Sequence, residues 1–254
     1  MRARDPVLAL LVLASASCGG EAVSATVTAT SPAPAPGALA PAAEVVAASP
    51  SAGVQVVTAD GPRFRVFSQP GPGAVLWLRL TATNDWAQPI WMPVTDAFRD
   101  ADGTRWLHVR LPIRPNGSTG WVKGEDVRSR RVLDRIVVDL SAHRLWRYQG
   151  DELAQRFTVG VGSSEFPTTP GTFFVWARVA FDPPSSAYGP LALGLSGFSE
   201  VITEWVGGGR MAIHGTWNPA DRGRDVSHGC VRVFNAQLLR LRDVPLGTPV
   251  LIRP

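Results

Sequence analysis

Between Val54 and Val127 short apolar runs alternate with turns, and no long helical period appears. The runs Ala74 to Leu80, Ile90 to Val94, Trp106 to Leu111 and Gly120 to Val122 read as strands. Within Trp106-Leu-His-Val-Arg-Leu111, period two puts Leu107, Val109 and Leu111 on one face and Trp106, His108 and Arg110 on the other. Asn116-Gly117 supplies a turn before the next strand. The pattern predicts a small β-barrel. Further on, Ile136 to Leu140, Arg144 to Tyr148 and Arg156 to Val161 predict a three-stranded meander. A turn at Pro167-Thr-Thr-Pro-Gly171 leads into a strand from Thr172 to Ala177. Asn235 is placed to cap a short helix, Ala236 to Arg242, which Pro245 and Gly247 end before a last strand, Pro249 to Ile252. The fold class expected is mainly β, with one or two short helices.

Composition supports that reading. Of 254 residues 45% are apolar and only 18% charged, with 25 glycines and 22 prolines, a turn-rich profile unlike that of a helical bundle. The formal charge of +4 suits anionic surroundings, but the basic residues are scattered. Arg128, Arg130 and Arg131 form the only tight cluster, read as a solvated stretch at a domain junction, and nucleic acid is not an expected partner.

The start of the chain suggests export. Arg2 and Arg4 precede an apolar run, Val7 to Leu13, and small residues lead to Cys18. Residues 1–18 read as a signal peptide of possible lipoprotein type, with Cys18 the lipidated residue and a membrane anchor. Residues 19–53, rich in Ala, Pro, Ser and Thr, read as a disordered linker, followed by a β module over 54–130 and a second domain over 131–254. In an oxidising compartment Cys230 then has no disulfide partner, and a lone thiol there needs a reason.

Trp77, Trp86, Trp91, Trp106 and Trp121 crowd into the first module, where core packing is expected ahead of a sugar or peptide platform. His108 reads as a half-exposed strand residue and His143 as a surface turn. His214 and His228 remain, in Ile213-His214-Gly-Thr-Trp217 and Ser227-His228-Gly229-Cys230-Val-Arg-Val233. A cysteine nucleophile needs a base and small neighbours that let a carbonyl approach. His214 can act as base, Gly215 and Gly229 remove bulk, and the N–H groups of Gly229 and Cys230 can face an oxyanion. The base can accept the thiol proton or hold the sulfur as a thiolate: a neighbouring imidazolium can draw a thiol pKa from about 8.5 into the range of roughly 3.5 to 7.5, making thiolate available at neutral pH.

These two segments resemble the signature of the L,D-transpeptidase (YkuD-like) catalytic domain, and the likeness covers about Leu133 to Pro254. It implies a β-sandwich or barrel in which Cys230 is the nucleophile, His214 the general base and the Gly215 carbonyl the group that orients the imidazole. It also implies that Ser227, His228 and Gly229 shape the site and that Arg232 buttresses it or meets a substrate carboxylate. The implied reaction splits an L,D bond in a peptidoglycan stem tetrapeptide, releases D-alanine, and passes the acyl group through a thioester to an amine, with carbapenems as covalent inhibitors and no cofactor. Trp106-Leu-His-Val-Arg with Gly120 to Val127 resembles a bacterial Src-homology-3-like wall module.

Three other readings compete. An L,D-carboxypeptidase would use water in place of the amine, and a wall-binding protein would carry a degenerate domain. A metal site would join His214, His228 and Cys230 to Asp221 or Asp225, although no pair has familiar zinc-ligand spacing. Gly207-Gly-Gly209 lacks the Lys-Ser/Thr of a phosphate cradle and reads as a turn.

Overall fold

Seven strands from the first half of the chain pair into one sheet: β1 (Val54–Ala59), β2 (Arg63–Phe67), β3 (Leu76–Thr81), β4 (Met92–Arg99), β5 (Arg105–Arg110), β6 (Thr119–Lys123) and β7 (Val127–Val132). Their spatial order is β3-β2-β6-β5-β4-β1-β7. The computed structural model describes residues 52–254 apart from 186 and 206. The expected signal peptide, Cys18 and nearly all of the linker lie outside the described residues.

The alternation read along β5 is only half of what that strand does. Leu107 and Val109 are buried as expected, but Trp106 on the opposite face is also buried, at 2% exposure. Its ring meets the edge of Phe67 at 5.2 Å and its indole N–H donates to Asp100 Oδ2 at 2.8 Å, so the one polar atom is satisfied. Core packing does not extend to Trp77 and Trp86, which are about half exposed. The arginine cluster is exposed, as expected, but it is part of a strand and not a linker. It lies on β7, paired along its length with β1, where Arg128 meets Asp60 at 2.8 Å, Arg130 covers Trp91 and Arg131 donates to the Ala52 carbonyl.

The second half builds β8 (Asp134–Asp139), β9 (Arg144–Gln149), β10 (Glu152–Thr158), β11 (Val161–Gly162), β12 (Gly171–Ser185), β13 (Gly189–Phe198), β14 (Arg210–Thr216), β15 (Asp225–Ser227), β16 (Val231–Phe234) and β17 (Pro249–Arg253). Eight of them form a sheet ordered β10-β9-β8-β17-β12-β13-β14-β16, while β11 and β15 form a separate parallel pair. The last strand enters the middle of the sheet, parallel to β8 and antiparallel to β12. The fold is therefore mainly β, as expected.

From Phe173 to Ala177 strand β12 is buried on both faces. Phe173 and Val175 point into the core of the second sheet, with Val138, Leu193, Ile213 and Val250. Phe174 and Trp176 point into the core of the first, with Val57, Phe64 and Leu107. Burying a side chain of that size stabilises the fold by about 1.5–3 kcal/mol, so β12 binds the two sheets through apolar contact. Asn84 Nδ2 donates to the Trp176 carbonyl at 2.9 Å, and Gln88 both donates to and accepts from the Arg178 main chain. The described residues accordingly fall within a single compact unit.

The helix near the end begins one residue earlier than expected, α1 spanning Asn235–Leu238 before a 3-10 turn, Leu239–Leu241. Phe234 occupies the cap position, and Asn235 makes no capping bond. Its carboxamide is buried against Gly189 and Gly215 instead.

Candidate active site

Strands β14 and β16 run parallel with His214 opposite Arg232, and Cys230 immediately precedes β16. The stretch around Cys230 is held from its other side as well. Arg232 and Gly160 exchange two main-chain hydrogen bonds, and the Ser163 N–H donates to the Ser227 carbonyl at 2.9 Å.

His214 is 5% exposed, and its Nδ1 lies 2.9 Å from the Gly215 carbonyl oxygen. A carbonyl only accepts, so Nδ1 carries the proton and Nε2 of the neutral ring keeps its lone pair. The Gly215 N–H donates to the Tyr188 carbonyl at 2.8 Å, and the Tyr188 ring meets the imidazole edge-on at 5.1 Å. A side chain at position 215 does not fit: a Cβ there would come within 2.0 Å of Asn235 Oδ1.

Ser227 and Gly229 shape the chain around the thiol. The buried Ser227 hydroxyl donates to the Cys230 carbonyl at 2.6 Å and accepts the Gly229 N–H at 3.1 Å. Of the two expected oxyanion donors, Gly229 is thus already engaged. Gly229 itself has φ +100°, a conformation that side chains rarely adopt. His228 points elsewhere: it is exposed, and its ring lies 4.8 Å from Phe166 and 5.3 Å from Trp205.

Arg232 Nη1 is 3.3 Å from Asp221 Oδ2, an oxygen that also accepts from Thr216 Oγ1 at 2.6 Å. Asn218 Nδ2 donates to the other oxygen at 3.0 Å. Gly215, Thr216, Trp217, Asp221 and Arg232 line part of a cavity of about 360 Å³. The acids of the metal alternative are thereby committed, Asp221 to Arg232 and Asp225 to His143 at 2.9 Å. No cluster of three or more His, Cys, Asp or Glu suited to a metal occurs among the described residues.

Burial dominates the electrostatics of the pair. It pushes the His214 pKa down to about 4, against the Gly215 carbonyl bond and the Asp221 charge, with Arg232 adding to the depression. It pushes the Cys230 thiol up, with the Ala212 N–H and Arg232 opposing. Both groups are therefore neutral at pH 7, and the thiolate available beside an imidazolium is not the resting state. What the arrangement offers is a protonated thiol and an imidazole with one fixed tautomer, whose Nε2 keeps a lone pair.

Asn235 and Trp205 were not legible as parts of this site, and Tyr188 stood out only within the stretch Tyr188-Gly-Pro that shares the family resemblance. Gly189 in that stretch adopts φ +68°.

The site thus joins a main-chain-oriented histidine on β14 to a cysteine that immediately precedes the neighbouring parallel strand β16, within a mainly β domain. Residues 133–252 match the family model of YkuD, the L,D-transpeptidase catalytic domain. The chain is similar to the YkuD protein of Bacillus licheniformis, 34% identical over 121 residues, which cover 47% of this chain and 66% of that one. It is also similar to the YkuD protein of Bacillus subtilis, 30% identical over 118 residues, or 46% and 64% of the two chains. The chain thus spans just under two thirds of the length of these curated relatives. Among solved structures, the Enterococcus faecium L,D-transpeptidase catalytic domain acylated by ertapenem is 25% identical, covering 47% of this chain and 96% of that one, with a TM-score of 0.36.

Proposed function

We propose that this protein is an L,D-transpeptidase of peptidoglycan, with Cys230 as nucleophile and His214 as general base. The observation that carries the reading is the buried, neutral His214, whose Nδ1–H is given to the Gly215 carbonyl and whose Nε2 is left basic, on the strand beside β16, which Cys230 immediately precedes. As the sulfur attacks the carbonyl of the L,D bond of a donor stem tetrapeptide, the thiol proton passes to Nε2. The Cys230 N–H is the remaining main-chain donor for the oxyanion, a contribution typically worth about 3 kcal/mol. Collapse breaks the C–N bond, the imidazolium protonates the departing D-alanine amine, and a thioester remains. An acceptor amine then attacks the thioester, gives its proton to His214, and the thiol is restored. Gly215, Ser227 and Gly229 hold this geometry, Asp221 fixes Arg232, and His228 forms part of the outer wall. No cofactor is needed.

The wider reading is of an exported envelope protein. Residues 1–18 serve as a signal peptide, a lipid on Cys18 ties the chain to the membrane, and residues 54–130 act as a Src-homology-3-like module that contacts the wall. Carbapenems acylate Cys230.

Incubation with defined stem peptides, with products identified by mass, tests the reaction. Cross-linked product with loss of D-alanine is expected, whereas trimming without cross-links would make the protein an L,D-carboxypeptidase. The Cys230→Ala variant should fold and take up no acyl group from ertapenem by intact-protein mass spectrometry. An adduct on that variant would remove Cys230 from the mechanism.

A further inference from the structure

A loop of the first sheet reaches the segment beside the candidate site. Residues 112–118 connect β5 to β6, and Arg114 on that loop donates from Nη2 to three carbonyls: Ser199 at 2.9 Å, Ile202 at 3.2 Å and Gly208 at 2.8 Å. Those acceptors lie near both ends of the 199–209 segment between β13 and β14. Asn116 adds to the hold, its carboxamide accepting the Phe198 N–H at 2.9 Å and donating to the Phe198 carbonyl at 2.7 Å, as a neighbouring strand would. The segment also closes on itself, with the Ser199 N–H on the Gly209 carbonyl at 2.8 Å and the Ser199 hydroxyl accepting the Val201 and Ile202 N–H groups. From its middle Trp205, 55% exposed, packs on His228, two residues before the thiol.

We infer that Arg114 and Asn116 are positioning residues for the surface beside Cys230 that Trp205 forms with His228, acting through the 199–209 segment. Three carbonyls gathered by one guanidinium draw together parts of a segment that is otherwise tied mainly to itself. An exposed indole loses its orientation when its segment is released, because ordering a loop costs conformational entropy that binding must then supply. The first sheet therefore contributes to the site without touching the reacting atoms. This inference rests on the thiol reading above for its kinetic consequence and on the clamp alone for its structural one.

Two measurements on the full chain separate them. Hydrogen exchange compares wild type with Arg114→Ala: amides of residues 199–209 should exchange faster while β12 and β13 stay protected, and unchanged exchange in that segment overturns the inference. Acylation by ertapenem, followed against concentration, is compared for Arg114→Ala, Trp205→Ala and the double variant. Arg114→Ala should raise the half-saturating concentration about tenfold and leave the limiting rate within about threefold. The double variant should be no worse than the poorer single, since both act through one surface. Additive effects, or a lower melting temperature with no change in half-saturation, make Arg114 a structural residue only and overturn the inference. If wild type takes up no acyl group, the thiol reading is lost, and the exchange comparison still decides the clamp.

Discussion

Lowering the pH should expose the cost of burying His214. The ring is 5% exposed and ionises at about 4 in the folded protein, against an ordinary value near 6.5. At pH 7 only roughly one ring in a thousand would be charged. In the unfolded chain the same ring takes up its proton near pH 6.5, so between 6.5 and 4 the unfolded state binds more protons and stability falls as pH falls. At about 1.4 kcal/mol for each pKa unit, this ring removes about 3 kcal/mol of stability by pH 4 relative to pH 7. Urea unfolding of wild type and His214→Gln across that interval measures the difference: the variant should lose less by about that amount, since other carboxylates titrate in both. Proton and nitrogen NMR of the ring should show the Nδ1–H tautomer at neutral pH, and the ultraviolet absorbance of a thiolate should be missing there. A ring midpoint at or above 6.5, or thiolate absorbance at pH 6 to 7, would refute the neutral pair and restore the imidazolium–thiolate pair that the motif alone suggests.

Arg147, 1% exposed, bonds Asp134 through Nε at 2.6 Å and Asp243 through Nη1 at 2.7 Å. Arg147→Ala strands the buried Asp134 carboxylate and should cost about 3–5 kcal/mol, read by urea unfolding; most of that loss should come from Asp134, because Asp243 is 63% exposed. Gly229→Ala forces a side chain into φ +100° and should cost about 1–3 kcal/mol while slowing acylation, as the Ser227 to Cys230 turn deforms. Thermal unfolding and ertapenem uptake check it, and an unchanged rate would show that the turn tolerates the strain. Asp221→Ala leaves Thr216, Asn218 and Arg232 without their shared acceptor, so a loss of about 1–3 kcal/mol is expected by urea unfolding.

The amino-acid sequence alone determined the secondary-structure class and the chemistry on offer. Period-two alternation and closely spaced turns predicted strands within a few residues of β5, β6, β8, β9 and β17, because side-chain alternation and turn residues are local properties. The two short motifs around His214 and Cys230 likewise announced themselves, since reactive groups flanked by glycine are visible at any distance along the chain.

Three things awaited the tertiary structure. Burial of Trp106 alongside exposure of Trp77 and Trp86 depends on which face of each strand another element covers, and no residue carries that information itself. The double duty of β12 arises because two sheets meet there, and from position 171 onward a strand with both faces apolar looks like any other hydrophobic run. The protonation of the pair was decided the same way: proximity of cysteine and histidine suggests charge separation, but desolvation by the surrounding strands outweighs it and keeps both groups neutral.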